Sequence, residues 1–325
     1  MSKKETLLDL LLSDPQEFVS GEEISRRLSV SRTAVWKQIN KLREAGYEFE
    51  AVPHKGYRIV SKPERIDALL LVKTLKTKTI GQNLKVLDST VSTQEEAREL
   101  AEAGAPEGTL VIAEEQTGGK GRMGRKWFSP KGKGISMSVV LRPKQPMHYM
   151  PQLTLLTGVA VCRAVRRVTG VMAGMKWPND LLVDGRKISG ILLESATEDE
   201  YVRYCIAGIG ISANQDHEDY PEELKPIATS LKIEKGEKID RIQLIAAIWE
   251  EFEALYALYQ QEGFAPIASL WEALSVTLGK TVNVTIASGP VTGKAEKLDP
   301  SGALLVVTED GRRVPVFSGD VELGR

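Results

Sequence analysis

The sequence predicts an α+β chain in three segments: a winged helix-turn-helix, a mixed sheet with helices packed on it, and a small β-barrel of SH3 type. Three observations predict this. The first stretch carries helical apolar periodicity and ends in two short alternating strands. The middle alternates buried strand runs with long helical runs. From about residue 278 only short strands divided by turn residues remain. The expected segments are 1–62, 63–277 and 278–325.

Residues 3–12 read as a short helix with Leu7, Leu8, Leu11 and Leu12 on one side. GEEISRRL opens a second with carboxylates in its first turn, where the helix dipole favours them. Ser31 caps a third, SRTAVWKQINKLREAG, in which Val35, Ile39 and Leu42 repeat at core spacing and Gly46 ends the run. YEFEAVPHKGYRIV then gives two strands about Pro53 and Gly56, a natural wing. Helix, tight turn, helix is a DNA-reading arrangement with the third helix in the major groove. Here that helix is led by Ser31, Arg32, Thr33, Trp36 and Lys37, with Lys55 in the wing. From Ile24 to Arg43 there are six basic residues and no acidic one. A small helical docking domain is the alternative, but a solvated face mixes signs, whereas a surface that meets phosphates excludes carboxylates.

SKPERID reads as a linker. TLVIAEEQ, GISMSVVL and YVRYCIAGIGIS read as strands, and 150–169, 238–261 and 264–275 as helices. LLVDGRKISGILLES carries a hairpin signal at Asp184-Gly185. TVNVTIA and ALLVVTED, with turns at Ser288-Gly289, Asp299-Pro-Ser-Gly and Asp310-Gly311, suit the small barrel.

The 325 residues, 42% hydrophobic and 27% charged, suffice for two or three soluble domains, and a net charge of −1 argues against a chain that coats itself in nucleic acid. The first apolar run is broken by Asp9 and ended by Asp14-Pro15, so it is neither signal peptide nor membrane span, and a cytoplasmic location without membrane partners is expected. Cys162 and Cys205 lie in apolar segments far apart, and His54, His148 and His217 have no ligand spacing. Free buried thiols are therefore expected, with no disulfide and no metal site built by the protein.

GGKGRMGRKWFSP, residues 118–130, matches the dinucleotide fingerprint G-x-G-x-x-G and the outer spacing of a phosphate loop. Context excludes both. A fingerprint must open a helix, but Gly124 is followed by RKWFSPKGKG, whose Pro130 and further glycines prevent one. A phosphate loop needs Lys and then Ser or Thr after its last glycine, where this chain has Arg125 and Lys126.

Four motifs line up in the middle segment: DSTVSTQ (88–94), EEQTGGKGRMGRKWFSP (114–130), KWPND (176–180) and DGRKISGILLE (184–194). Together they resemble the biotin protein ligases. The resemblance covers essentially the whole chain, because bifunctional members carry a winged helix, a ligase domain and an SH3-like domain. It implies a central domain of class II synthetase type. It implies that ATP and Mg2+ convert biotin to biotinyl-5′-AMP, and that biotin passes to a lysine of the biotin carrier domain of a carboxylase. It also implies repression of biotin synthesis genes by a homodimer that binds operator DNA when biotinyl-AMP is present.

The same resemblance assigns the site. Lys187, Arg122 and Asp180 are the implied catalytic residues. Ser89, Thr90, Gln116, Lys120, Gly121, Arg122 and Lys187 are implied for biotin, and Arg125, Trp127, Asn179, Ser212 and Asn214 for the nucleotide. The chemistry suits these residue types: forming an acyl adenylate brings two anions together, which cations must neutralise, and a ureido ring needs small polar donors and acceptors. Bland alternatives stand beside them. Ser89-Thr90 are suited to capping the helix at 93–103, Lys187 to a surface strand, and Asn179 and Asp180 to the turn after Pro178. Two departures bear on the site: Lys120 and Met123 replace arginines of the family's usual loop, and Ser212 replaces an asparagine. The rival functions are a lipoate-type acyl ligase and a ligand-sensing DNA-binding repressor without turnover.

Overall fold

The computed structural model describes residues 6–14, 16–44, 46–61, 64–143, 146–198, 201–286 and 289–323. The expected domain boundary at 62, Pro15 and the turn residue Ser288 lie outside the described residues, as do residues 3–5 of the first expected helix. The chain divides into two compact units, one up to Ile66 and one from Asp67.

In the first unit, α1 spans Leu7–Ser13, α2 Gly21–Leu28 and α3 Arg32–Glu44. The first begins at Leu7 because Thr6 and Asp9 form a reciprocal capping box. Ser20 caps α2 by accepting from the Glu23 amide, and Ser29 ends it in a left-handed conformation. Ser31 accepts from the Ala34 amide at 3.2 Å and so starts α3. The hairpin of β1 (Glu48–Val52) and β2 (Gly56–Ser61) follows as the expected wing. Leu7, Leu8, Leu10, Leu11, Ile24, Val35, Ile39 and Ile59 form its buried core.

The second unit opens with α4 (Ala68–Thr74), which Asp67 caps, so the expected linker ends in a helix start. There follow β3 (Leu84–Leu87), α5 (Thr93–Glu102), β4 (Leu110–Ala113), β5 (Ile135–Leu141) and α6 (Met150–Thr169). Next come β6 (Gly174–Lys176), β7 (Asp180–Val183), β8 (Arg186–Glu198) and β9 (Tyr201–Ile211). Three helices, α7 (Leu231–Lys235), α8 (Arg241–Glu262) and α9 (Ala265–Leu274), precede the last strands. Those are β10 (Thr281–Ile286), β11 (Gly289–Leu298), β12 (Leu304–Val307), β13 (Arg313–Val316) and β14 (Asp320–Leu323).

Among the described residues the main sheet has seven strands in the order β3-β4-β5-β9-β8-β7-β6. It is mixed, since β3 and β4 run parallel and the other pairs antiparallel. The β7–β8 turn at Asp184 and Gly185 has both residues at positive φ, 47° and 79°, as a tight hairpin requires. The long helix α6 is buried over most of its length and packs against β8, α8 and α9. Cys162 and Cys205 are both free and buried, and burial raises both thiols, Cys162 to about 11, so neither is a nucleophile at neutral pH.

The C-terminal strands form an antiparallel sheet in the order β13-β12-β11-β10-β14 around Val282, Val284, Leu304, Val306 and Val316. Trp177 ties it to the main sheet. Its amide donates to Thr277 Oγ1 at 3.0 Å and its indole N–H to the Gly302 carbonyl at 3.2 Å.

A buried ion pair fixes the start of α8 to the end of β4. Arg241 donates to both Glu114 oxygens, at 2.9 and 3.2 Å, and to the Gly134 carbonyl at 2.9 Å. Both side chains are about nineteen-twentieths buried, so removal of either leaves an uncompensated charge. Glu114→Ala is expected to lower the unfolding free energy by about 3–5 kcal/mol in denaturant titration; a loss within about 0.5 kcal/mol would mean the pair is replaceable by water.

Candidate active site

The site begins where β5, β8 and β9 run side by side with small residues on one face. Gly190 pairs with Gly210, and Ser138 with Gly208. The Trp127 indole occupies the space above the first pair: a Cβ on Gly210 would stand 2.4 Å from its Cε2. A Cβ on Gly208 would stand 2.4 Å from Gln94 Oε1. These glycines are there for room. The cleft above them has a volume of about 900 Å³, open solvent included.

One end of the cleft is neutral and polar. Gln116 Oε1 accepts from the Thr93 amide at 2.8 Å and from its hydroxyl at 3.0 Å. The Thr93 and Ser138 hydroxyls are 2.8 Å apart, and Ser138 donates to Gln94 Oε1 at 3.0 Å. Gln94 in turn donates to the Ile206 carbonyl at 3.1 Å. Such a network offers oriented donors and acceptors without charge.

The other end is cationic. Lys120, Arg122, Arg125, Lys126, Lys176 and Lys187 line the cleft against a single carboxylate, Asp180, among the described residues. Lys187 Nζ lies 2.6 Å from Asp180 Oδ1 and 5.7 Å from the Trp127 ring centre. Its backbone position is set by a bulge: Leu181 faces Ser189 but Leu182 faces Lys187. On its other side Lys187 pairs with residues 227–229 through the Ile227 carbonyl and the Thr229 amide. Arg122 donates to Asn179 Oδ1 at 3.1 Å, and Asn179 is itself locked to Ile191 by amide contacts of 2.8 and 2.9 Å. Burial lowers the Arg122 pKa, Asp180 opposes the shift, and Arg125 adds to it. Burial also lowers Lys176, helped by Lys187 and Arg125 and opposed by Asp180.

The glycine loop is a closed hairpin over this cleft. Trp127 N donates to Gly119 O at 2.8 Å and Gly121 N to Arg125 O at 2.7 Å. Met123 and Gly124 make its turn with φ of 56° and 75°, and Met123 is three-quarters exposed.

Of the residues expected from the sequence, Gln116, Lys120, Gly121, Arg122, Arg125, Trp127, Asn179, Asp180 and Lys187 come together in the cleft. Four do not. The hydroxyls of Ser89 and Thr90 are turned to Glu115 and Glu96, at 3.0 and 2.8 Å. Ser212 and Asn214 are buried just after β9 and outside the cleft lining, where the Asn214 amide holds the Ile239 backbone at 2.8 and 3.0 Å. DSTVSTQ contains two Ser-Thr pairs, and the structure uses the second: Ser92 caps α5, which turns Thr93 and Gln94 into the cleft. The signal was legible, because Ser92 precedes Glu95 and Glu96 in the first turn that a cap predicts. Ser138 and Gly208 were missed as well, since nothing in their local pattern sets them apart from ordinary strand residues, and Lys176, though it opens the KWPND motif, was given no role.

In the first unit Arg32, Thr33, Trp36 and Lys37 are exposed on α3, with Lys55 exposed in the wing. Ser31 is also exposed, but its hydroxyl is occupied in capping. The surface is less purely cationic than the acid-free run predicts, because α2 brings Glu22 to 3.1 Å from Arg32 and Glu23 to 3.8 Å from Arg27.

Comparison with known proteins agrees with this architecture. The Biotin/lipoate A/B protein ligase family model matches residues 83–212, an HTH domain model residues 3–58, and the biotin protein ligase C terminal domain model residues 277–324. The bifunctional ligase/repressor BirA of Bacillus subtilis is 46% identical over 321 residues, 99% of this chain and 98% of its own length. The chain belongs to the biotin protein ligase family. The BirA of Escherichia coli is 33% identical over 307 residues, 94% of this chain and 93% of its own. The biotin protein ligase from Aquifex aeolicus in complex with biotin and ATP has a TM-score of 0.65 and 32% identity, covering 75% of this chain and 99% of that one. This ligase therefore carries a helix-turn-helix unit, a mixed-sheet catalytic domain and a C-terminal antiparallel sheet. Among the described residues no helix is long and apolar enough to cross a membrane.

Because the Gly210 site has no space for a methyl group under the indole, Gly210→Ala in this ligase must displace Trp127. ATP affinity measured by calorimetry is expected to fall at least about tenfold while biotin affinity changes little; unchanged ATP binding would place the nucleotide elsewhere.

Proposed function

We propose that this ligase activates biotin at the boundary between the neutral and cationic ends of the cleft, and that the junction of these two ends is the observation that carries the reading. Ser92, Thr93, Gln94, Gln116 and Ser138 suit the ureido ring, in place of Ser89 and Thr90. The carboxylate then points toward Lys120, Arg122 and Lys187. A carboxylate oxygen attacks the α-phosphorus of ATP, the bond to the β-phosphate breaks, and pyrophosphate leaves with the negative charge. Arg122, oriented by Asn179, and Lys187, oriented by Asp180, neutralise the charge that builds at the α-phosphate. The Trp127 ring, seated directly on the glycine floor, offers a flat platform on which adenine stacks.

Asp180, the carboxylate lining the cleft among the described residues, would help hold Mg2+, which would supply further neutralisation of phosphate charge. In the second step the acceptor lysine amine, on a biotin carrier domain, attacks the acyl carbon. The amide forms, AMP leaves, and the extra proton of the amine passes to Asp180 or to solvent. The 119–127 hairpin keeps water from the mixed anhydride until then. Incubation with biotin, ATP, Mg2+ and a biotin carrier domain is expected to add one biotin to the acceptor by mass spectrometry; modification by lipoate but not biotin would overturn the substrate assignment.

The Asp180–Lys187 contact makes the two half-reactions interdependent. Lys187→Ala is expected to slow adenylate formation by about 10²–10³-fold with biotin affinity nearly kept. Asp180→Asn is expected to slow transfer and, by freeing Lys187, adenylation as well. Rapid-quench measurement of each half-reaction checks this, and wild-type adenylation in Lys187→Ala would sink the assignment.

The functional division follows 1–62 for DNA, 63–277 for catalysis and 278–325 for the small sheet domain. The helix-turn-helix unit supports operator binding through Arg32, Thr33, Trp36, Lys37 and Lys55, as repressor of biotin synthesis genes with biotinyl-AMP as corepressor. A homodimer fits this role, since one small module binds weakly and a palindromic site needs two. β8 supports it too: its pairing with β7 stops at Gly190 and Asn179 occupies the Ile191 backbone, so among the described residues no strand pairs with the outer edge of β8 from Leu193 on, and Leu192 beside that stretch also lines the cleft. Arg32→Ala is expected to abolish operator retention in a gel-shift assay while ligase activity stays intact. Glu22→Gln, which frees Arg32 for phosphate, is expected to tighten it. Equal operator affinity with no ligand, with biotin, and with biotin plus ATP would separate the two functions.

A further inference from the structure

Three contacts of the glycine hairpin with the rest of the catalytic unit bear on how it is held. Trp127 rests on the glycine floor, Arg122 reaches Asn179, and Lys120 reaches Glu95 with Nζ 2.5 Å from Oε1. The first two contacts are made by groups already assigned to nucleotide and phosphate. Glu95 has no such role. It lies in the first turn of α5, directly after Ser92, Thr93 and Gln94, and is about 40% exposed.

We propose that Glu95 is a positioning residue of the ligase reaction: it latches Lys120, and so holds the covering hairpin and aims the Lys120 ammonium into the cleft. A lysine ammonium has three donors, so Lys120 can keep Glu95 and still receive a carboxylate or phosphate from the ligand side. Lysine suits this better than the arginine usual at the position, whose planar fork commits its donors to one plane. The latch also joins the two halves of the site. The turn of α5 that presents Thr93 and Gln94 to the neutral pocket is the one that holds the strap, so filling the pocket and closing the strap draw on the same rigid element.

The neighbouring carboxylate supplies an internal control. Glu96 occupies the same first turn but pairs with Lys85 at 2.7 Å and accepts from the Thr90 hydroxyl at 2.8 Å, away from the hairpin. Helix-dipole and stability effects of losing a first-turn carboxylate are therefore shared by Glu96→Gln, whereas the latch is lost only in Glu95→Gln.

The inference rests on the proposed ligase reading, so one measurement is chosen to be independent of it. In ligand-free protein, tryptic cleavage at the basic residues of 120–126 is expected to rise about fivefold in Glu95→Gln, the range of a half-exposed ion pair, and to stay at wild-type rate in Glu96→Gln. In the reaction, Glu95→Gln is expected to raise the biotin KM and the release rate of free biotinyl-AMP by a similar factor while kcat for adenylation is kept. Raised salt is expected to accelerate release more steeply in the wild type than in Glu95→Gln, narrowing the gap between them. Glu95→Asp is expected to recover part of the retention. Equal cleavage and equal adenylate release in wild type, Glu95→Gln and Glu96→Gln would overturn the latch. Absence of adenylate from the wild type would instead remove the ligase reading and leave the cleavage result standing.

Discussion

Along one face of β5 and β9, apolar side chains give way at the same level to hydroxyls and glycines, and the cleft begins there. Val140 and Ile206 lie opposite each other within the core under α5, together with Ala97, Ala101 and Val111. Two residues along, Ser138 faces Gly208, and two further, Ser136 faces Gly210. Because side chains on one face recur every second residue, this change removes the filling from the sheet's upper surface without altering its other face, where Ile209 and Ile211 stay buried. The stable core and the empty site are thus successive stretches of the same strands. Shifting the register of β9 by one residue would put an isoleucine under Trp127.

That arrangement concentrates charge where the solvent is thin. Six basic residues converge on a cleft with one carboxylate among the described residues, and two of them, Arg122 and Lys176, are held below their ordinary pKa chiefly by burial. Each positioned cation has a neutral or anionic anchor: Asn179 for Arg122, Asp180 for Lys187 and Glu95 for Lys120. The anchors fix direction at little cost, because the side chains they restrain are already partly packed. The buried Arg241–Glu114 pair serves a different end. It ties α8 to the segment from which the glycine hairpin departs, so the hairpin springs from a rigid base.

Much of this was legible in the sequence. The helices at 150–169, 238–261 and 264–275 and the hairpin at Asp184-Gly185 announce themselves by periodicity and turn chemistry, and the structure has them within a few residues. The glycine loop was recognisable by what it is not, since no helix follows it. The difference at Ser89-Thr90 has a specific source: two Ser-Thr pairs stand three residues apart, and only the capping geometry of Ser92 tells which pair faces the cleft. Ser212 and Asn214 were expected at the nucleotide because a polar pair after a glycine-rich strand resembles a ligand contact, whereas here they lie outside the cleft lining and the Asn214 amide is spent on Ile239.

By itself the sequence determined the element types, the winged helix and the four motifs, because periodicity, caps and turn residues act over a few positions and are readable locally. Only the tertiary structure decided which side chains meet: Asp180 with Lys187, Arg122 with Asn179, Lys120 with Glu95, and Glu22 with Arg32 on a surface that reads as free of carboxylates. These pairs join residues from 7 to 57 positions apart, and which of them form depends on strand register, a bulge and a helix cap acting together. No local pattern encodes that sum, because contact distance is fixed by the packing of the whole sheet and its helices.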